Sequence, residues 1–127
     1  METLTFSTGM EEYPMENGSI LRFNPRDPSV VERFLTLEER IAELKPQGAS
    51  VAEKWADADM RCRKMLEEVF PGNDFWQLLG PGNSLALCEN GMSVMGNFLN
   101  AVEPILEYGV QVLMEEAIQK AKERRGE

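Results

Sequence analysis

The sequence predicts an α+β fold, in which an N-terminal β-hairpin or small antiparallel sheet precedes a mainly α-helical bundle with a long C-terminal helix. Three observations support this prediction. Apolar and polar residues alternate in the first 24 residues, which is the period of a half-buried strand. From residue 28 onward, apolar residues recur every three or four positions, which is the period of an amphipathic helix. Pro and Gly residues divide this second region into separate helices.

Residues 1–24 form the predicted β region. The dipeptide Asn17-Gly18 is a strong hairpin signal, because both residue types tolerate the positive φ that tight turns require. A small sheet is only marginally stable by itself, so its apolar face must rest on the helices. The apolar residues that alternate with polar neighbours are Leu4 and Phe6, then Tyr13 and Met15, then Leu21 and Phe23.

Four helices are predicted, over residues 28–45, 50–70, 74–79 and 92–125. Asp27 is a suitable N-cap and Pro28 a suitable first helical residue, since its missing N–H would have no partner there. Ser50 and Asp74 are suitable caps for the next two helices. The residues predicted to face the core are Val30, Phe34, Leu37, Ile41 and Leu44, then Val51, Trp55, Ala58, Cys62, Met65, Leu66 and Val69, then Phe75, Leu78 and Leu79, and finally Met95, Phe98, Val102, Ile105, Leu106 and Leu113.

The longest predicted helix, residues 92–125, contains both Pro104 and Gly109. Proline removes a backbone hydrogen bond, so we expect a kink at Pro104, and we expect Gly109 to loosen the helix one turn later. Beyond this point the apolar stripe moves to a second face. Either the end of the helix leaves the domain body and packs on something else, or it continues along the same domain after the kink. The second stripe consists of Val110, Met114, Ala117, Ile118 and Ala121.

The length of 127 residues indicates a single domain, residues 1–127, with a core of modest size. The sequence has no run of about 18 apolar residues and no secretory signal pattern, so we expect no membrane association. Cys62 and Cys88 are the two cysteines. A single potential bridge is weak evidence for an oxidising compartment, so we expect both thiols to be reduced and buried.

The formal net charge is −9, and the charges are unevenly distributed. Residues 65–119 contain no Lys or Arg, whereas four cations follow at Lys120, Lys122, Arg124 and Arg125. Nucleic acid is disfavoured as a direct ligand, because phosphate binding needs a basic patch. The acidic surface has two interpretations. It provides solubility, with terminal cations that suit the helix dipole, or it recognises a basic partner or imitates nucleic acid.

The residue types do not indicate catalysis or a bound cofactor. The chain has no histidine, which is the commonest general base and transition-metal ligand. Asp57 and Asp59 point about 200° apart on a helix, so they are poorly placed to share a metal ion. Gly80 and Gly82 belong to a turn rather than a phosphate loop, because the third glycine of that motif is missing. We therefore expect no enzyme activity, no metal and no cofactor.

The chain contains eight methionines, and Met60, Met92 and Met114 lie off the predicted core stripes. Exposed methionine suits adaptable surfaces that bind variable apolar segments. Together with the second stripe of the last helix, this favours a protein-binding module. The residues predicted to bind a protein partner are Phe75, Trp76, Met92, Val110, Met114 and Ile118.

Three segments resemble one known family. These are residues 22–34 (RFNPRDPSVVERF), residues 58–70, and residues 74–102 (DFWQLLGPGNSLALCENGMSVMGNFLNAV). They are similar to the small tail assembly chaperones of siphophages and prophages from Gram-positive hosts. The likeness covers most of residues 3–109 and lies in scattered F-N-P, D-P, L-G, N-G and N-F positions. The basic ending, residues 120–127, has no counterpart in it.

The resemblance implies a non-enzymatic chaperone in the cytoplasm of the bacterial host. Proteins of that family are encoded beside the tape measure protein and are thought to coat its long apolar helical chain until the tail tube polymerises. The implied partner is therefore the tape measure protein, and a homo-oligomer is possible. A frameshifted longer form is also common in the family.

Two other functions remain open beside the one that the resemblance implies. One is an acidic protein of phage origin that imitates nucleic acid or otherwise inhibits a host protein. Such a protein, held by charge, should lose affinity steeply as salt rises, whereas an apolar chaperone interface should respond weakly. The other is a structural tail component that assembles with itself through the terminal helix, in a fixed symmetric form and without a client.

Overall fold

The computed structural model describes residues 1–126 and has the predicted α+β fold. A two-stranded antiparallel sheet precedes the helices, and the last helix is the longest. Within the described residues, the elements are β1 (Glu11–Pro14), β2 (Ile20–Phe23), α1 (Pro28–Ala42), α2 (Val51–Val69), α3 (Phe75–Leu78) and α4 (Val94–Arg124). No helix among residues 1–126 is long and apolar enough to cross a membrane.

The predicted hairpin is confirmed, with Tyr13 opposite Leu21 across the two strands. Gly18 has a φ of 88°, as the turn requires. The apolar face of the hairpin carries Leu21 and Phe23, which are both buried, and the Tyr13 ring stacks on Phe23 at 5.0 Å. This face is therefore the part of the sheet that joins the core.

The strand predicted around Leu4 and Phe6 is wrong, because residues 1–10 form no regular secondary structure. Leu4 is 87% exposed and Phe6 is 81% exposed. The side chain of Asn73 occupies the outer edge of β2, so no third strand pairs at that edge. The Arg22 N–H donates to Asn73 Oδ1 at 2.8 Å, and Asn73 Nδ2 donates to the Arg22 carbonyl at 2.7 Å. Among residues 1–126, the sheet has two strands only.

Side-chain caps set the starts of the helices as predicted. Asp27 accepts from the Ser29 N–H at 2.9 Å, and Ser50 accepts from the Glu53 N–H at 3.1 Å. Asp74 caps α3 in the same way. The last helix begins two residues later than predicted, because Ser93 is its N-cap. Met92 instead accepts a backbone hydrogen bond from Cys88 at 2.8 Å, within the preceding loop.

The core lies where the hairpin and helices α1 to α4 meet. The Phe70 ring is its centre and lies 4.9 Å from the Phe23 ring and 6.1 Å from the Phe98 ring, both in edge-on contact. Most residues predicted to face the core are buried or half-buried. The buried apolar residues are Leu21, Phe23, Val30, Leu37, Ala58, Cys62, Leu66, Val69, Phe70, Phe75, Leu78, Met95, Phe98, Val102 and Leu106.

Two predicted core residues of α2, Val51 and Trp55, are exposed instead. They line an open groove together with Leu44, just after the end of α1, and Leu85. They lie on the same side of the helix as Cys62, but the start of α2, residues 51–56, is exposed. The stripe is therefore buried only from Ala58 onward.

The end of α4 leaves the domain body. Every residue from Met114 to Lys120 is exposed, so within this chain the end of α4 is not buried against the domain body. The role predicted for Gly109 is wrong. Gly109 is buried, and a Cβ atom there would overlap the carbonyl oxygen of Pro25 and lie 2.7 Å from its carbonyl carbon. Glycine is required at this position for close packing and not for looseness.

Candidate protein-binding groove

An apolar groove runs between α1 and α4 on the surface of the molecule. Two adjoining cavities of about 400 and 310 Å³ form it, and both are lined by Val31, Leu35 and Val110. Leu35 is 70% exposed and Met114 is 61% exposed, so large apolar side chains face solvent on both walls. The remaining lining residues are Pro28, Glu32, Phe34, Glu103, Leu106, Glu107, Leu113 and Ala117.

Each helix presents to this groove a row of apolar residues that lies beside its core-facing stripe. On α1, Val31 and Leu35 are four residues apart, and they lie roughly 120° round the helix from Val30 and Leu37. On α4, Val110 and Met114 have the same spacing and lie off the stripe that carries Val102 and Leu106. Residues four apart lie one above the other along a helix, so each wall is a continuous apolar row.

Carboxylates form the rim of the groove. Glu32 lies on the α1 side, and Glu103 and Glu107 lie on the α4 side. Since residues 65–119 contain no Lys or Arg, the α4 wall has no cation of its own before Lys120. Arg33 on α1 directs its guanidinium to the Val69 carbonyl, at 3.3 Å. The rim is therefore acidic, which suits an apolar segment flanked by cations.

Three of the predicted binding residues lie on one face of α4. Val110 and Met114 line the groove, and Ile118 is exposed one turn further along. The sequence analysis did not include Val31 and Leu35, which form the opposite wall. The available signal was the presence of two large apolar residues four positions apart and off the core stripe of α1.

The other three predicted binding residues do not line this groove. Phe75 is fully buried, and its ring lies 5.5 Å from the Phe98 ring, so its side chain offers no surface to a partner. Trp76 is half-exposed, and its ring lies 4.1 Å from the guanidinium carbon of Arg63. Met92 is half-buried, and its sulfur accepts a hydrogen bond from Asn100 at 3.3 Å.

A buried polar cluster, which the sequence analysis missed, lies beneath Trp76. It consists of Asp59, Arg63 and Ser84. The Arg63 Nε–H donates to Asp59 Oδ1 at 3.0 Å, and Ser84 donates to the same oxygen from its backbone N–H, at 2.7 Å, and from its hydroxyl. The i,i+4 spacing of Asp59 and Arg63 on a helix was the signal that could have revealed the pair.

Arg63 connects this cluster to the turn after α3. Its Nη1 donates to the carbonyl of Phe75 at 2.7 Å and to that of Gly80 at 3.0 Å, and its Nη2 donates to the Gly82 carbonyl. Burial acts to raise the pKa of Asp59, but the hydrogen bonds from Ser84 and Arg63 outweigh it and hold that pKa below its usual value. The cluster therefore holds the turn after α3 against α2.

The two cysteines are free thiols in different surroundings. Cys62 is fully buried, as predicted, and burial raises the pKa of its thiol. Cys88 is only half-buried, which differs from the prediction. Within residues 1–126, no group of three or more cysteine, aspartate or glutamate side chains is placed to hold a metal ion.

The chain was compared with protein-family models, curated proteins and solved structures, and none of the three comparisons gave a match.

Proposed function

We propose that this protein is a non-catalytic phage tail assembly chaperone, which binds apolar helical segments of a tape measure protein in the groove between α1 and α4. The observation that carries the proposal is the groove itself. It presents two rows of exposed apolar side chains inside a rim of carboxylates. The resemblance of residues 22–34, 58–70 and 74–102 to tail assembly chaperones supports the identity of the client.

The shape of the groove suits a helical client. A channel between two helices accepts the apolar face of a third, whose anchors then recur every three or four residues. Met114 has an unbranched, flexible side chain, so one wall adapts to anchors of different size. The rim at Glu32, Glu103 and Glu107 selects segments that carry Lys or Arg beside the apolar face.

The net charge of −9 supports the same role. Many copies bound along one long chain bring like charges together, and their mutual repulsion opposes collapse and aggregation of the coated client. A chaperone of this kind needs an apolar surface that binds its client reversibly, and it needs no reactive group.

Co-expression with the large helical open reading frame that neighbours the gene tests the proposal. We expect a soluble complex with many copies of this protein for each client, measured by light scattering after co-purification. If the protein purifies without the client while the client aggregates, the proposal is wrong.

Variants locate the binding surface. We expect Leu35→Glu and Met114→Glu to reduce affinity for a client peptide at least about tenfold, because losing a central interface anchor costs more than about 1.4 kcal/mol. Leu87→Glu and Met60→Glu are the matched controls, since both residues are exposed but lie outside the groove. Equal losses of affinity in all four variants would show that the client peptide does not bind in the groove.

Salt separates this proposal from an acidic decoy. The test is to measure client affinity by fluorescence anisotropy at low and at high ionic strength. An apolar groove should retain most of its affinity, whereas a complex held by charge weakens steeply as screening increases. If the client affinity falls steeply with salt and Leu35→Glu does not change it, the acidic decoy is favoured.

A further inference from the structure

We infer that α4 also binds a second copy of this chain, through an antiparallel pairing of two α4 helices with Met114 at the twofold axis. This inference concerns the protein without its client and does not rest on the proposed function. The inference rests on the order of side chains along the exposed face of α4.

That face changes from acidic to apolar to basic along its length. At about 100° per residue, the residues within about 60° of Met114 lie on one side of the helix. Met114 and Ile118 are exposed in the middle of this face, and Glu103 and Glu107 are exposed towards its start. From residue 103 onward, the residues of this face, in order, are Glu103, Glu107, Val110, Gln111, Met114, Ala117, Ile118, Ala121 and Arg125.

Lys122 and Arg124 flank the basic end of this face, about 80° to either side of Met114. Among the described residues, neither of these cations forms an ion pair, and neither does Glu103 or Glu107. One molecule therefore presents two separate sets of exposed, unpaired charges of opposite sign on one helix.

An antiparallel twofold axis at Met114 makes these features complementary. It places Val110 opposite Ile118 of the second copy, because the two lie equally far from Met114 in sequence. By the same symmetry, Glu107 lies opposite Ala121, and Glu103 lies opposite Arg125. The acidic end of each helix therefore lies beside Lys122 and Arg124 of the other. These positions lie four, seven and eleven residues from Met114, which follows the helical repeat. All of them therefore face the line of contact between the two α4 helices (the seam).

A parallel pairing is disfavoured by the same charges. It would place Glu103 and Glu107 beside their own copies at one end, and Lys122 and Arg124 beside theirs at the other. Like charges directly opposite each other repel, so orientation is specified by charge and the central contact by apolar packing. The inferred partner is therefore a second copy in antiparallel orientation.

The seam overlaps the groove, because Val110 and Met114 belong to both. A second helix lying on this face also covers Leu35 and Val31 on the α1 wall. If the proposed function holds, a client helix and a second copy exclude each other at this face.

The first test is sedimentation velocity of the protein alone over a concentration series. We expect a monomer–dimer equilibrium, and we expect Met114→Glu to abolish the dimer by placing two carboxylates at the axis. Met60→Glu is the control and should remain dimeric. A wild-type protein that stays monomeric at every concentration overturns the inference. Because no client is present, this outcome is independent of the co-expression result.

Charge exchange tests the pairing of ends. Glu103→Lys with Glu107→Lys should abolish the dimer, and so should Lys122→Glu with Arg124→Glu. Mixing these two double variants should give a heterodimer, and combining all four changes in one chain should restore the homodimer. Homodimers in either double variant would contradict the inference. Circular dichroism checks that each variant retains the wild-type fold.

Disulfide trapping tests the orientation, in a Cys88→Ser background that removes the accessible native thiol. Val110→Cys and Ile118→Cys chains should cross-link to each other when mixed and oxidised, and neither should cross-link with itself. Self-linking of each variant would indicate a parallel pair and would overturn the antiparallel assignment.

Discussion

Arg63 has a side chain that is 1% exposed, yet it carries a full positive charge in the interior. Burying a charge is costly unless its hydrogen bonds and its counter-ion replace the water that it loses. Here Asp59 supplies the counter-ion, and the carbonyls of Phe75, Gly80 and Gly82 accept the remaining contacts. The pair therefore ties α2 to α3 and to the turn that follows it.

We predict that Arg63→Met lowers the free energy of unfolding by about 3–5 kcal/mol, because it leaves the Asp59 carboxylate buried and unpaired. Arg61→Met is the matched control on the same helix. Arg61 pairs with Asp57 at 2.9 Å but is 38% exposed, so its loss should cost about 0–1 kcal/mol. Urea denaturation followed by circular dichroism measures both, and equal effects would show that the buried pair has no special role.

The packing of α4 against the segment that precedes α1 positions the groove. Gly109 allows the helix to approach the Pro25 backbone, three residues before the start of α1, and Val110 then faces the groove one residue later. The caps at Asp27 and Ser93 set where the two helices begin. The separation of the groove walls therefore depends on a backbone contact that no side chain could replace.

We predict that Gly109→Ala lowers the free energy of unfolding by about 1–3 kcal/mol, because the new methyl group overlaps the Pro25 carbonyl and forces α4 away from it. Gly96→Ala in the same helix is the control. Its Cβ would meet only side-chain atoms, the nearest at 3.1 Å, and alanine has the higher helix propensity, by about 1 kcal/mol. Thermal unfolding should therefore show a lower Tm for the first variant and an equal or higher Tm for the second.

The whole molecule contains 22 acidic and 13 basic residues, and protonation of the acidic residues controls how its stability responds to acid. Asp27 has a lowered pKa because it accepts hydrogen bonds from Ser29 at the start of α1. Asp59 has a lowered pKa despite its burial. Groups whose pKa is lower in the folded state stabilise the fold above their ordinary pKa, and this contribution is lost as the pH falls through the lowered value.

We predict that stability falls progressively as the pH drops below about 4, which is the ordinary aspartate pKa. Protonation also leaves the cations of the chain unbalanced, and their mutual repulsion adds to the loss. Asp59→Asn should be less stable at neutral pH and should show a weaker dependence below pH 4. Exposed Glu67→Gln is the control and should follow the wild-type curve. Unfolding free energies from urea titrations across this pH range measure the difference, and parallel curves for wild type and Asp59→Asn would contradict the assignment.

Much of the fold was predictable because the interactions responsible are local in sequence. The Asn17-Gly18 turn, the caps at Asp27, Ser50 and Asp74, and the apolar stripes all depend on residues a few positions apart. The same is true of the α4 face that carries Val110, Met114 and Ile118. These signals correctly placed the hairpin and the four helices, and they grouped Val110 and Met114, which line the groove, on one face.

Tertiary structure alone decided which of the apolar faces is covered. Periodicity shows that side chains share a face, but burial depends on what lies opposite, which is set by contacts between residues distant in sequence. Phe75 is therefore buried and Trp55 exposed, although both lie on apolar stripes. Asn73 closes the sheet edge from 51 residues away, and Ser84 completes the Asp59 site from 25 residues away. The sequence by itself determined the elements and their amphipathic faces, whereas the approach of α4 to α1 determined which face remained open as the groove.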